Sequence, residues 1–314
     1  MKKFALIGAA GYIAPRHMQA IKETGNTLVA AMDKNDSVGI IDSYFPDAVY
    51  FTEFETFDRY VSLARRNGDA IDYFPICSPN YLHESHMSFA MRSGGDAICE
   101  KPLVLNPKDI DELIEVEKDT GQRVNTILQL RLHDSVNALK QRVAESANDS
   151  KFDVDLTYIT SRGNWYHSSW KGDVEKSGGI ATNIGVHFYD MLYYIFGELQ
   201  QNILHYNSAA TAAGYLEYDR ARVRWLLSID EANIPQKSRE KGMRTHRSIT
   251  IGDEEFEFSG GFTDLHTRSY EAILEGNGFG LEENRVAIET VADIRNQTPN
   301  LHVGEMHPAV ASLR

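Results

Sequence analysis

The chain has 314 residues, with 32 Lys and Arg against 45 Asp and Glu, for a formal net charge of −13. At roughly 100–200 residues per domain this length suits two domains, and 42% hydrophobic with 25% charged residues is the balance of a globular protein, not a disordered or fibrous one. The acidic excess repels nucleic-acid phosphates and no stretch approaches the roughly 20 apolar residues of a membrane span, so neither a nucleic acid nor a membrane is expected as a partner.

The start of the chain has two lysines followed by the apolar run Phe4 to Ala10, as a signal peptide has. A glycine-rich turn follows at once, so the run is expected to be a first strand in a cytoplasmic protein. The first half then alternates. Apolar runs at Phe4–Ala9, Thr27–Met32, Ile71–Cys77, Asp96–Cys99 and Val124–Leu128 are expected strands. Amphipathic segments at Ala14–Thr24, Glu53–Asn67, Tyr81–Ser93 and Pro107–Thr120 are expected helices, the last three ending near Gly68, Gly94 and Gly121. Short, nearly continuous apolar strands separated by helices imply a parallel sheet covered on both faces. This predicts an α/β Rossmann domain over residues 1–127, with ligands beyond the carboxyl ends of its strands.

After about residue 150 the pattern changes. Lys151–Thr160 alternates as a strand, and a helix is expected from about Thr182 to Phe196. Then come Ile203–Ala209, Ala213–Tyr218, Val223–Ile229 and a hairpin of Ser248–Ile251 with Glu255–Phe258. Helices near Asp264–Glu275 and Leu281–Asn296 follow. Residues 128–314 are therefore expected to form an α+β domain with a large, mostly antiparallel sheet. Cys77 and Cys99 form no CxxC pair and are expected as buried, reduced thiols. His83-Glu84-Ser85-His86 is one residue short of HExxH, so no metal site is expected.

The first turn reads Gly8-Ala9-Ala10-Gly11-Tyr12-Ile13-Ala14, after a strand and opening a helix. That context makes a glycine loop a dinucleotide fingerprint, although the spacing is GxxGxxA and a plain strand–helix turn is the competing reading. Gly8 makes the turn, Gly11 admits a pyrophosphate, and free N–H groups at the helix start face it, with Tyr12 and Ile13 alongside. Asp33 ends the second strand, where a carboxylate accepts from ribose hydroxyls and repels a 2′-phosphate, which favours NAD over NADP. Ser78-Pro79-Asn80 with His83, and Glu100-Lys101-Pro102, lie at two further strand ends. Lys-Pro also raises the chance of a cis bond.

In the second half, Asn183, His187 and Asp190 are spaced i, i+4, i+7 on a helix that is otherwise apolar. A polar stripe on a buried helix needs partners or a ligand. Asp190 is expected to hold a neighbouring backbone, and His187 to do chemistry.

The loop from Gly8 to His17, Ser78-Pro79-Asn80 with His83, Glu100-Lys101-Pro102 and the Gly-Gly…Gly-x-His-x-x-Asp helix together resemble the Gfo/Idh/MocA oxidoreductases. Ile7 to His17, Arg162-Gly163-Asn164-Trp165-Tyr166 and Ala181–Asp190 resemble, more narrowly, the WlbA/WbpB subgroup. The resemblance implies oxidation of C3′ of UDP-N-acetylglucosaminuronate (UDP-GlcNAcA) to a 3-keto sugar with NAD, on the way to sugars of bacterial surface polysaccharides such as lipopolysaccharide O-antigen. Many members of the broad family carry Asp at the position of Asn183; Asn cannot act as a base, which leaves His187 and Lys101. A histidine suits removal of the hydroxyl proton, and Lys101 suits stabilisation of the developing oxyanion; on the sequence these roles are interchangeable. Glu100 and Gln129 are assigned to the cofactor. Arg131 and Arg162 are candidate partners for the pyrophosphate and carboxylate. Asn164, Trp165, Tyr166, Thr182, Asn183 and Tyr270, with Ser269 a weaker candidate, complete the expected substrate contacts. The resemblance also implies a dimer or tetramer and, in some members, 2-oxoglutarate as terminal oxidant. The alternatives are an NAD-dependent dehydrogenase of another sugar or polyol, and a non-catalytic NAD-binding protein of the same fold.

Overall fold

A computed structural model describes residues 1–147, 150–256 and 264–313. In chain order, β1 (Lys3–Ile7), α1 (Ala14–Glu23), β2 (Thr27–Met32), β3 (Val49–Phe51), α2 (Phe54–Arg66) and β4 (Tyr73–Ile76) come first. Next are α3 (His83–Arg92), β5 (Asp96–Cys99), α4 (Pro107–Thr120), β6 (Val124–Thr126), α5 (Asp134–Glu145) and β7 (Phe152–Thr160). The short helices α6 (Trp165–Ser168) and α7 (Val174–Ser177) precede α8 (Val186–Phe196), β8 (Leu199–Asn207), β9 (Thr211–Tyr218) and β10 (Ala221–Ser228). Last come α9 (Gln236–Glu240), β11 (Thr245–Ile251), β12 (Glu254–Glu255), α10 (Leu265–Leu274) and α11 (Leu281–Asn296). Residues 257 and 258, expected to extend the hairpin, lie outside the described residues. No helix among the described residues is long and apolar enough to cross a membrane.

The chain divides into two compact units: Met1–Gln129 with Thr263–Arg285, and Leu130–Phe262 with Val286–Arg314. The first holds a six-stranded sheet in the order β3-β2-β1-β4-β5-β6, with parallel pairing throughout. β1 and β4 are neighbours, so the strand order reverses between them, and ligands bind at such a point. Phe4, Leu6 and Ile7 of β1 are fully buried, as expected of a strand covered on both faces. α1 starts with Pro15 in its first turn, and α4 ends at Thr120 before Gly121, which is left-handed at φ +71°. The sequence reading placed everything after residue 127 in the second domain. The structure instead groups α10 with the first unit. Tyr270 and Ile273 sit in one apolar core with Phe4, Met18 and Ile21, and burying an aromatic side chain of that size contributes roughly 1.5–3 kcal/mol.

The second unit holds a sheet in the order β12-β11-β7-β10-β9-β8. Its pairs are antiparallel except β7 with β10, which is parallel from Phe152–Ala221 to Ile159–Ser228. α8 is apolar on nearly every face, with Phe188, Tyr189, Met191, Leu192 and Phe196 all buried. Its amino-terminal lead-in, Ala181–Gly185, is a turn of π-helix. At Gly185 a Cβ would stand 2.5 Å from Leu227 Cδ1 of β10, so a larger residue there has to displace that side chain.

Candidate active site

The first unit gathers its unusual residues at the carboxyl ends of the parallel strands. Gly8 follows β1 with φ +90°, a region L side chains rarely adopt. A Cβ on it would lie 2.5 Å from the backbone of Cys77 and Ser78. The loop is thus held against the end of β4, and only glycine fits. A Cβ on Gly11 would lie 3.0 Å from Gly8 O and 3.1 Å from Cys77 O, so glycine there lets the turn pack closely against the end of β4. Tyr12 is 99% exposed. At the start of α1, Ala14 N donates to Gly11 O at 3.1 Å, Pro15 has no N–H, and Arg16 N donates to Ile13 O at 2.9 Å. Asp33, after β2, accepts from Ala10 N at 3.0 Å through one oxygen and from Asn35 N at 2.9 Å through the other. The glycine cradle and a carboxylate at the second strand end fit a dinucleotide. Gln129, just beyond β6, adds a buried Oε1 without a hydrogen-bond partner among the described residues.

The turns after β4 and β5 are tied together by His83. Its Nδ1 lies 2.8 Å from Pro102 O and its Nε2 2.9 Å from Ser78 O. It is 1% exposed, and burial pulls its pKa down. Expected at the cofactor, His83 instead spends both ring nitrogens on the two loops. Ser78 Oγ lies 2.8 Å from His86 Nδ1, Asn80 is buried, and the Lys101–Pro102 bond is cis. Lys101 is half-buried.

Glu100 is buried within a polar cluster that spacing alone does not reveal. His17 Nε2 and His266 Nε2 each lie 3.0 Å from Glu100 Oε1, and the Tyr270 hydroxyl lies 2.7 Å from His17 Nδ1. Burial pushes the Glu100 carboxyl up, but the two histidine hydrogen bonds outweigh it and hold it well below the usual carboxylate range. Tyr270, expected at the substrate, is fully buried and committed to His17. Ser269 is buried as well, its hydroxyl donating to Leu265 O at 2.7 Å.

The second unit separates the polar stripe expected on α8. Asn183 Nδ2 donates to the Tyr166 hydroxyl at 2.6 Å. Asp190 is buried and takes the Arg131 guanidinium in a two-pronged pair, Nε to Oδ2 at 3.1 Å and Nη2 to Oδ1 at 2.6 Å. His187 is half-buried, with its ring 4.1 Å from that of Phe188 and 6.3 Å from Tyr158. The π turn widens the helix just where Asn183 sits, a distortion common at functional sites that the i, i+4 spacing did not foretell.

Arg131, expected to meet a substrate anion, is 6% exposed and already neutralised by Asp190. Arg162, Asn164 and Trp165 are exposed on the loop after β7, whereas Tyr166 is buried and packs edge-on to Trp165 at 5.8 Å. Thr182 is fully buried, its hydroxyl donating to Gly178 O at 2.8 Å.

A parallel sheet with a glycine-lined turn at its reversal point, followed by an α/β unit, is the arrangement of a dinucleotide-dependent oxidoreductase. Two family descriptions match accordingly: "Oxidoreductase family, NAD-binding Rossmann fold" over residues 2–127, and "Oxidoreductase family, C-terminal alpha/beta domain" over residues 150–244. The chain belongs to the Gfo/Idh/MocA family of NAD-dependent oxidoreductases. Within it, the chain is similar to the WlbA (WbpB) dehydrogenase from Thermus thermophilus solved with NAD and alpha-ketoglutarate. The two are 50% identical with a TM-score of 0.95, over 99% of this chain and 100% of that one. The same enzyme solved with NAD and UDP-GlcNAcA aligns at 48% identity and a TM-score of 0.94, again over 99% of this chain and 100% of that one. Among curated proteins, glucose-6-phosphate 3-dehydrogenase from Bacillus subtilis is 24% identical over 62% of this chain and 54% of its own length. Inositol 2-dehydrogenase from Rhizobium meliloti is 27% identical over 62% of this chain and 55% of its own. The chain thus spans about half the length of these curated relatives.

Proposed function

We propose that this protein oxidises C3′ of UDP-GlcNAcA to the 3-keto sugar with NAD, in the cytoplasm, as a step toward the sugars of a bacterial surface polysaccharide. The observation that carries the reading is the match, at about half identity and over both whole chains, to a dehydrogenase solved with NAD and with UDP-GlcNAcA. The residues present fit the cofactor: the cradle at Gly8 and Gly11, Asp33 for the adenosine ribose, and the unpartnered Gln129 Oε1. NAD, when bound, accepts the hydride.

The chain's own residues do the remaining work. Oxidation of a secondary alcohol needs a group to take the hydroxyl proton, and His187, half-buried on α8, is assigned that role. Lys101 hydrogen-bonds the reacting oxygen and offsets its developing charge. Arg162, exposed after β7, is the better anion partner of the two arginines, since Arg131 is engaged by Asp190. Trp165 offers an exposed aromatic face to sugar or uracil. Asn183 and Tyr166 form one hydrogen-bonded pair, so they are expected to act on the substrate together. 2-Oxoglutarate is proposed as the terminal oxidant, and a homo-oligomer as the assembly.

The test is turnover of UDP-GlcNAcA with and without 2-oxoglutarate, read by mass spectrometry as loss of two hydrogens from the sugar. The expected product is absent with UDP-GlcNAc and with Lys101→Met or His187→Asn protein. No product under either condition, from protein shown to bind NAD, overturns the substrate assignment and leaves the family standing.

A further inference from the structure

Lys101 is the only part of the Glu100-Lys101-Pro102 turn that the proposed chemistry uses. Behind it lies a carboxylate that the fold has gone to some length to satisfy. Glu100 is 7% exposed, His17 fully buried and His266 7% exposed. Residues 83 and 166 positions away in sequence bring their Nε2 atoms to one oxygen, Oε1, at 3.0 Å each. A carboxylate oxygen only accepts, so both histidines carry hydrogen on Nε2. The remaining nitrogen of His17 is then an acceptor, and the Tyr270 hydroxyl, 2.7 Å away, donates to it. Every donor in the chain Tyr270, His17, Glu100, His266 points toward the carboxylate. The other oxygen, Oε2, faces the backbone N–H of Lys101 at 3.3 Å.

An apolar cluster of similar volume is as stable as such a buried polar one, or more so. A network of this kind next to a reacting group therefore points to a task. We propose that His17, His266 and Tyr270 are positioning residues: they lock Glu100 as a fixed buried carboxylate, which sets the direction of Lys101 and the field in which it works. The inference rests on the assignment of Lys101 to the reacting oxygen.

The other titratable groups facing Glu100 are Cys77 and Cys99, at the ends of β4 and β5, and His83 of α3. Burial pushes both thiols up, which keeps them neutral, and pulls His83 down against the two carbonyl contacts that favour its charged form. Glu100 supplies the negative charge within this cluster.

Two measurements test this. Side-chain 15N shifts of His17 and His266, read without substrate, are expected to show the Nε2–H tautomer for both at neutral pH. Kinetically, His266→Phe is expected to lower kcat about tenfold with KM nearly unchanged and to move a limb of the pH profile. His266→Gln, which restores an N–H donor, recovers most of the loss. If His266→Phe does not fold, Tyr270→Phe, a one-atom change, is expected to fold, to release the His17 tautomer and to lower kcat about threefold. A histidine found as the Nδ1–H form overturns the proposal. So does one bound metal ion per chain by elemental analysis, a wild-type pH profile in a folded variant, or equal losses for Phe and Gln. Because the nitrogen shifts need no substrate, wild-type protein silent on UDP-GlcNAcA sinks the substrate assignment while the network is still decided.

Discussion

Gly8 concentrates the turn after β1 in one residue. Its φ of +90° excludes side chains, and a Cβ would meet Cys77 and Ser78 backbone at 2.5 Å. Gly8→Ala therefore pushes the loop off the end of β4, and is expected to destabilise the protein by about 2 kcal/mol or more and to weaken NAD binding at least about tenfold. Chemical denaturation and NAD titration read the two effects separately. The Arg131–Asp190 pair supports a second prediction. Arg131→Met strands a buried carboxylate, which costs about 3–5 kcal/mol, while Arg131→Met with Asp190→Leu removes both charges and recovers most of it. A double variant no more stable than the single one would show that the arginine matters for something other than Asp190.

Among the elements, the π turn at Ala181–Gly185 sets where Asn183 sits relative to α8. Gly185→Ala drives a methyl group into Leu227, so it is expected to shift that turn and to lower turnover more than it lowers Tm; the pair Gly185→Ala with Leu227→Ala should restore part of both. Elements of this size were legible in the sequence where burial imposes a period: α4 and α11 match their expected bounds, and most of the remaining helices and strands agree to within a few residues. β3 was not, because three residues, Val49–Phe51, carry no period. α5 is not legible either, because Asp134–Glu145 lies at the change of pattern between the two halves. The site residues divide the same way. The glycine loop, Asp33 and the Glu100-Lys101-Pro102 turn are local signals. Arg131 and Tyr270 read as ligand groups because their partners, Asp190 and His17, are 59 and 253 residues away, a distance over which no motif speaks. His266 had no local signal at all.

For the molecule as a whole, buried neutral histidines dictate the acid limit. His86, bonded to Ser78, and His307, bonded to Thr157, are both pulled down to about 4 by burial. Their unfolded value is near 6.5, so below that pH the unfolded chain binds more protons than the folded one, and stability falls as pH drops. The contribution is complete above pH 6.5 and fades toward pH 4, with about 2 kcal/mol lost per histidine by pH 5. Glu100, held well below the carboxylate range, adds a further loss below about pH 4.5 in the same direction. Thermal melts are expected to give a Tm several degrees lower at pH 5 than at pH 7.5; equal values would contradict the burial of these rings.

The first unit is built from two stretches of chain, Met1–Gln129 and Thr263–Arg285. During synthesis its six strands leave the ribosome well before the helix that carries His266 and Tyr270. Until more than 130 further residues have been added, Phe4 and Met18 lack the face that later covers them, and Glu100 lacks one of its two histidine donors. Such a nascent intermediate exposes apolar surface for seconds, at translation rates of about 5–20 residues per second. A gene cut after residue 129 makes that waiting state permanent.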